Sequence, residues 1–375
     1  MSAVPRILHL HSTFDAGGKE LRCVRLINAF ARDAEHAIVS GEPERRSAAA
    51  LIGKSTQVAW PTFPSLTGKP LPGRLKKLAA AMAGYDLVCS YNWGAMDAVM
   101  AHTLFADVYK LAPLVHHEDG FNEDEAGGLK RPRNLYRRIA LGRSAALVVP
   151  SRTLERIALE TWDQPRTRVR LIPNGIDTRA FARTPKRDAL PRLVKQKGEF
   201  WVGTLAGLRK VKNLTALVRA CAGLPDHWQL VIAGEGPERE ALVAEAAARG
   251  IEHRVHLPGF VADPAKAVGL FDVFALSSHS EQFPISVIEA MAAGLPIAAP
   301  RVGDLGAMVA TGNGPFLCEP GDEAALAEAL AALAGDPALR KRVGEANRKK
   351  AAAEFDERTM IERYRALYWG LMGRK

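Results

Sequence analysis

The sequence predicts an α/β protein in two halves, each built on a mostly parallel sheet. Three observations carry this. Short apolar runs of strand length alternate with helix-length periodic stretches from Arg6 to Ile172, and the alternation restarts at Glu199. Between the two series, from about 180 to 197, a polar, proline-containing passage loses periodicity, as a domain boundary does. Loops bearing glycine or proline repeatedly join a strand end to a helix start, which is where open α/β sheets bind ligands.

In the first half, Arg6-Ile7-Leu8-His9-Leu10-His11 reads as a strand. A loop with Gly17 and Gly18 follows and leads into a helix ending near Ala31. Adjacent glycines let backbone approach a phosphate or substrate closely, although a tight turn explains them equally well. Apolar runs at Ala37-Ile38-Val39 and near Gln57 to Trp60 come next. The Pro/Gly-rich loop from Pro61 to Gly73 is long enough to face a substrate. Asp86 to Cys89, Ala112 to Val115, Ala145 to Val149 and Val169 to Ile172 are further strands, and helices intervene. His116-His117-Glu118-Asp119-Gly120 leaves one strand end. The two histidines should point to opposite faces of the sheet, so at most one faces the cleft and one is a core or surface residue. Their ordinary pKa, near 6.5, suits either to act on a hydroxyl.

In the second half, Glu199 to Gly203 is a strand, and the basic loop Leu208 to Asn213 precedes a helix to Ala222. Arg209 and Lys212 lie there, a planar fork and a point charge that suit a diphosphate. Trp228 to Ala233 is a strand that ends in Gly234-Glu235-Gly236-Pro237. A short strand at Val255 to Leu257 precedes the one from Asp272 to Leu276. The chain then bends through Glu281, and Phe283-Pro284-Ile285 opens a helix that carries Glu289 and stops at Gly294. The two acids are separated by roughly 7.5 Å of helix rise. Carboxylates on either side of a phosphate-sized gap suit a ligand with hydroxyls at both ends of a diphosphate. The alternative is a capping box of Ser286 and Glu289 beside a solvated Glu281. The last periodic stretch, Asp356 to Leu371, is a packing stripe. These readings place a first domain at 1–180, a linker at 181–197, a second domain at 198–354 and a terminal helix at 355–375 that packs back across them.

Composition narrows the function classes. With 375 residues and 47% apolar content, the chain can bury two cores. No run is long and apolar enough to span a membrane, the start lacks a signal-peptide core, and the four cysteines form no Cys-x-x-Cys pair. A cytoplasmic protein without a zinc site is expected. Net charge is +10, which fits an anionic partner. Lys130, Arg131, Arg133, Arg137, Arg138 and Arg143 lie in a stretch without acids, interleaved with leucines. That stretch can rest on an anionic membrane face, with a solvated helix as the simpler reading. No aromatic-basic platform for nucleic acid is evident, so none is expected as partner.

Taken together, these residues resemble glycosyltransferase family 4. Glu281 to Pro296 is similar to the family signature of two glutamates separated by seven residues. Gly17-Gly18, Pro173 to Asp177, Lys212-Asn213 and Gly234 to Pro237 occur in the expected order, so the resemblance spans nearly the whole chain. It implies a GT-B fold, with two Rossmann-like α/β/α domains facing each other across a cleft. It also implies a retaining, metal-independent transfer of sugar from a nucleoside-diphosphate sugar, of UDP or GDP type, to an acceptor hydroxyl.

By that resemblance Glu281 contacts donor-sugar hydroxyls, and Phe283, Pro284 and Ile285 bound the sugar and phosphate. Glu289 holds the ribose, Lys212 neutralises the departing diphosphate, and Gly17-Gly18 approach it. His116 is the residue near the transferring centre, with His117 as the fallback and Asp119 beside them. Where the family places an arginine five residues before the lysine, this chain has Gly207, and Arg209 is the candidate that supplies the charge. A saccharide or lipid-linked acceptor in polysaccharide, lipopolysaccharide or glycolipid synthesis follows. The competing readings are a non-catalytic sugar-nucleotide-binding or nucleic-acid-binding protein, and a sugar-nucleotide epimerase.

Overall fold

The computed structural model describes residues 4–121, 125 and 128–374, which divide into two units, 1–174 with 360–375 and 175–359. In the first unit the strands are β1 (Arg6–His11), β2 (Glu35–Ser40), β3 (Val58–Ala59), β4 (Leu87–Tyr91), β5 (Leu114–His117), β6 (Ala146–Val149) and β7 (Val169–Leu171). They form one sheet in the order β3-β2-β1-β4-β5-β6-β7, and every pairing is parallel. The helices are α1 (Gly18–Phe30), α2 (Pro72–Ala81), α3 (Met96–Tyr109), α4 (Arg131–Ala140) and α5 (Arg152–Glu160). Proline in the first turn starts α2 and α4, and the Ser151 hydroxyl caps α5 by accepting from Leu154 N–H.

Strand alternation sorts the first core into two faces. Leu8, Leu10, Val88, Leu114 and Leu147 pack under α2, α3, α4 and α5. Ile7, Leu87, Cys89, Val115 and Val148 pack on the other face under α1. The chain's last helix, α13 in chain order (Glu357–Leu371), joins that second face through Met360, Tyr364 and Tyr368, spaced one helical turn apart.

The second unit carries a parallel sheet of β8 (Phe200–Leu205), β9 (Trp228–Ala233), β10 (Val255–Gly259), β11 (Val273–Ala275), β12 (Ile297–Pro300) and β13 (Leu317–Cys318) in the order β10-β9-β8-β11-β12-β13. Its helices are α6 (Thr178–Phe181), α7 (Leu214–Cys221), α8 (Arg239–Ala248), α9 (Ile285–Ala292), α10 (Leu305–Met308), α11 (Glu323–Gly335) and α12 (Pro337–Glu354). One core lies under α6, α9 and α10, and the other under α7, α8 and α11. Both units are therefore Rossmann-like α/β/α layers, as the alternation predicts.

The expected linker differs from what is observed. Leu190, in the segment 181–197, is 2% exposed and packs in the second core with Phe181 and Trp201. Lys195 donates to Leu270 O and Asp272 Oδ2, both at 2.6 Å. Sparse apolar residues hid this, because a few well-placed anchors hold the segment without any periodic pattern.

Candidate active site

In the second unit the sheet grows outward from β8 in both directions, with β9 and β10 on one side and β11 to β13 on the other. Loops leaving two such neighbouring strands diverge, and the crevice at their carboxyl ends is the usual ligand position. Here the loops after β8 and β11 are held together. His279 N–H donates to Val211 O at 2.9 Å, and Ser277 Oγ donates to Lys212 O at 3.0 Å. Across this join Lys212 Nζ lies 2.5 Å from Glu281 Oε1, and the Ser278 hydroxyl donates to the same oxygen at 2.8 Å. The lysine and glutamate side chains are 17% and 11% exposed, so solvent screens the pair less than a surface pair.

The third loop, after β9, closes on the first. Gly234 and Gly236 have φ of +154° and +156°, and a Cβ on either would lie 1.9 Å from Ala206 O or 2.4 Å from Leu208 O. Only glycine fits both positions. Before α7, the chain makes one 3₁₀ turn over Lys210–Lys212, and Asn213 takes a left-handed φ of 47°. Arg209 precedes that turn and is exposed.

Helix α9 begins after Pro284, in extended conformation, and no side chain caps it. Ser286 is its second residue, so the capping box with Glu289 is not formed. Val287 N–H donates to Pro284 O at 3.1 Å, and the helix dipole at this end favours an anion. Phe283 is half-buried against Phe355, ring centroids 5.7 Å apart, and Ile285 is half-buried beside it. Glu289, the fifth residue of α9, is also half-buried.

In the first unit, Gly17 precedes α1 in extended conformation, and Gly18 starts the helix. The Glu20 carboxylate folds back so that a Cβ on Gly17 would lie 2.9 Å from it, and Lys19 pairs with Glu20. Burial is the chief cause that raises the Glu20 carboxyl, and Lys19 opposes it. The two histidines do point to opposite faces, and both are fully buried. His116 is hydrogen-bonded to Ser90 Oγ at 2.9 Å, and its Nε2 is 3.7 Å from Glu118 Oε2. His117 stacks on Tyr91 and is hydrogen-bonded to Tyr368 at 2.8 Å and to Ser90 O at 3.1 Å. Burial first, and then the Arg22 charge, hold His117 well below its ordinary pKa. Asp119 pairs with both terminal nitrogens of Arg22, which also donates to Asn174 Oδ1 at 3.0 Å.

Two family descriptions match the chain: Glycosyltransferase Family 4 over residues 16–180 and Glycosyl transferases group 1 over residues 186–350. The chain is a GT-B glycosyltransferase related to family 4. It is 28% identical over 400 residues to the D-inositol 3-phosphate glycosyltransferase of Nocardia farcinica, covering 96% of this chain and 87% of that one. The glycogen synthase of Mycobacterium tuberculosis is 27% identical over 292 residues, 76% of this chain and 69% of that one. The crystal structure of Anabaena HepE in complex with UDP shares the fold, with a TM-score of 0.80 at 22% identity over 96% of this chain and 99% of that one.

The GT-B glycosyltransferase frame sorts the sequence candidates. Lys212 and Glu281 meet directly. Glu289, Phe283, Pro284 and Ile285 lie on the same segment as Glu281. Arg209 is on the Lys212 loop, but a 3₁₀ turn separates it from α7, so the two cations do not share a helix. Neither histidine ring reaches solvent: His117 packs among Tyr91, Tyr364 and Tyr368, and His116 lies between Ser90 and Glu118. Arg137 is a correction. Expected on a basic surface, it is fully buried, grips Glu125 with both terminal nitrogens, and lies 4.9 Å from the Trp93 ring centroid. Helix periodicity turns that position inward, and the acid and aromatic faces compensate its lost hydration.

Sequence reasoning missed Arg22, Glu20 and Lys19. Their signal was present, since they follow Gly17-Gly18 within one helical turn. Among the described residues, no cluster of three or more metal-ligating side chains is placed to hold an ion.

Proposed function

We propose that this glycosyltransferase moves a sugar, with retention, from a UDP- or GDP-type sugar nucleotide to a saccharide or lipid-linked acceptor in cell-surface polysaccharide, lipopolysaccharide or glycolipid synthesis. The observation that carries the proposal is the meeting of Lys212 and Glu281 beside the open amino end of α9. As the glycosidic bond breaks, negative charge grows on the diphosphate. Lys212, the α9 amides and Arg209 stabilise it, which is the largest source of catalysis in such sites. Released from Lys212, Glu281 accepts hydrogen bonds from the donor-sugar hydroxyls, while Glu289 takes those of the ribose. Phe283, Pro284 and Ile285 bound the sugar and phosphate, and Gly17-Gly18 bring backbone to the diphosphate. The first unit takes the acceptor, with Asp119 and the buried His116, or His117, at the strand end nearest the transfer. The departing phosphate oxygen then receives the acceptor proton on the same face, so no enzyme nucleophile and no metal ion are required.

In this reading the acceptor lies at the cytoplasmic membrane face, and two helices support it. Helices α3 and α4 are joined by Tyr136 donating to Asp97 at 2.7 Å, and Arg143, in the 3₁₀ turn after α4, grips Asp107 on α3. Each helix exposes an apolar pair one turn apart, Leu104 with Val108 and Leu135 with Ile139, and Lys130, Arg131 and Arg138 are exposed beside the latter pair. Apolar side chains rimmed by cations fit an anionic lipid surface. No helix among the described residues is long and apolar enough to cross a membrane.

The test is a thermal-shift screen of UDP-, GDP- and ADP-sugars, followed by NMR of the anomeric configuration of product. A shift with one nucleotide class and retained configuration are expected. Inversion, or no shift with any donor, would end the proposal. Activity should survive exhaustive chelation, and a loss restored by Mn²⁺ or Mg²⁺ would remove the metal-independent step.

A further inference from the structure

In the first unit the sheet also grows both ways from one junction, between β1 and β4. Beside the carboxyl end of β4 lies a cavity of about 420 Å³, within the ordinary range for small-ligand sites. Its walls come from three places: the Pro/Gly-rich loop (Leu66 to Pro70), the turn after β4 (Trp93, Gly94, Asp97) and the start of α4 (Pro132, Arg133, Tyr136). The roles above leave this cavity unused.

Its chemistry is mixed in a specific way. Leu66, Pro70, Trp93, Pro132 and Tyr136 supply apolar surface. Asp97 and Arg133 supply an acceptor and a donor. Neither brings an uncompensated charge. Asp97 accepts from Tyr136 OH at 2.7 Å and from Arg74 Nη1 at 2.6 Å, and Arg133 donates to Glu125 at 3.0 Å. Arg74 also donates to Ser65 O at 3.0 Å, which fixes the Pro/Gly-rich loop as a wall. The site is therefore an overall neutral pocket with apolar faces and a polar edge. A phosphate would meet the Asp97 carboxylate. A hydrocarbon chain would strip water from Asp97 and Arg133 without replacing it. A pyranose matches, since its C–H faces are apolar and its rim hydroxyls both donate and accept.

We propose that this cavity is a subsite for a neutral sugar ring of the acceptor. The assignment rests on the transferase reading, which gives the donor sugar to the second unit. It makes Trp93, Asp97, Arg133 and Tyr136 determinants of acceptor choice, with Arg74 a positioning residue that acts through the loop and Asp97.

The test is saturation-transfer NMR on the full chain with UDP present. The probes are the methyl glycosides of glucose, galactose, mannose and N-acetylglucosamine, and the disaccharides maltose, lactose and cellobiose. Two variants accompany it: Thr67→Trp, which fills the mouth from an exposed position, and Asp97→Asn, which removes the carboxylate but keeps the shape. At least one sugar is expected to bind, and Thr67→Trp to weaken it by about ten-fold or more. Asp97→Asn should weaken it less, and UDP affinity should stay unchanged in Thr67→Trp. The subsite is overturned if no sugar in the panel binds, if binding survives both variants, or if octanol binds instead and is lost with Thr67→Trp. Failure of the native protein to bind UDP or any sugar nucleotide would strike the transferase reading alone, because sugar binding is scored separately.

Discussion

Lys212 and Glu281 neutralise each other in the second unit, at 2.5 Å, although 69 residues separate them along the chain. Each is a group that a sugar nucleotide needs, a cation for the diphosphate and a carboxylate for the sugar. The pairing compensates both charges and, with the Ser277 and His279 hydrogen bonds, holds the two loops in register. In the proposed mechanism a donor exchanges this pair for two contacts, diphosphate to Lys212 and sugar hydroxyl to Glu281.

Replacement of Lys212 by alanine removes the cation at the leaving group. Turnover should fall by about 10²–10³-fold, the cost typical of losing one donor that stabilises developing charge. The measurement is initial-rate release of nucleoside diphosphate, with circular dichroism to show that the fold persists. Near-native turnover would take Lys212 out of the phosphate site.

Arg22 is 2% exposed on its side chain and satisfies Asp119 and Asn174 together. Arg22→Ala leaves the Asp119 carboxylate without its cation. Loss of one partner of a buried pair costs about 3–5 kcal/mol, and Asp119, at 13% exposure, should lie toward the lower bound. Urea unfolding should show the loss in the first unit. A change well under about 1 kcal/mol would mean that water replaces Arg22 without difficulty.

Four buried histidines make the first unit acid-sensitive. His9, His11, His36 and His117 lie on or beside the α1 face of the sheet, and burial is the first cause that lowers each of them. His36 is brought down to about 4. A histidine lowered in the folded state is protonated first in the unfolded chain. Its contribution is therefore complete above the unfolded pKa near 6.5 and is lost as pH falls from there toward the folded value. Each such group removes up to about 1.4 kcal/mol per pH unit in that window. Urea midpoints taken from about pH 7.5 to 4.5 should fall steeply below pH 6.5, and His36→Gln should flatten the curve. A midpoint independent of pH would contradict the buried neutral assignment.

Asn347, fully buried on α12, donates to Leu295 O at 2.9 Å and to Asn313 Oδ1 at 2.8 Å and accepts from Ala310 N–H at 3.0 Å. Asn313 in turn bonds both the N–H and the carbonyl of Ile297 in β12. Asn347→Ala orphans several buried groups at once and should destabilise the second unit by about 2–4 kcal/mol, since each unsatisfied group costs about 1–3 kcal/mol. Thermal unfolding followed by calorimetry measures this, and an unchanged transition would show that the network is not needed.

Much of the candidate site is local in sequence and was legible there. Glu281, Phe283, Pro284, Ile285 and Glu289 lie on one bend and one helix, so their proximity follows from helical geometry. Gly17 and Gly18 mark a loop-to-helix turn for the same reason. Arg137 was misread because charge alone says nothing about which helix face is buried, and aromatic partners from three separate segments make that decision. The segment 181–197 reads as a linker because its one deep anchor, Leu190, carries no periodicity.

By itself the sequence determined the order of strands and helices, their parallel alternation in two units, and which residues stand at strand ends. Those properties come from periodicity, turn chemistry and short-range sterics, which act along the chain. Only the tertiary structure decided that Lys212 finds Glu281, that His116 and His117 are sealed inside the sheet, and that Trp93, Asp97 and Tyr136 line an open pocket with the Pro/Gly-rich loop. Those outcomes depend on which loops leave neighbouring strands, and strand order is set by packing across the whole sheet rather than by any local segment.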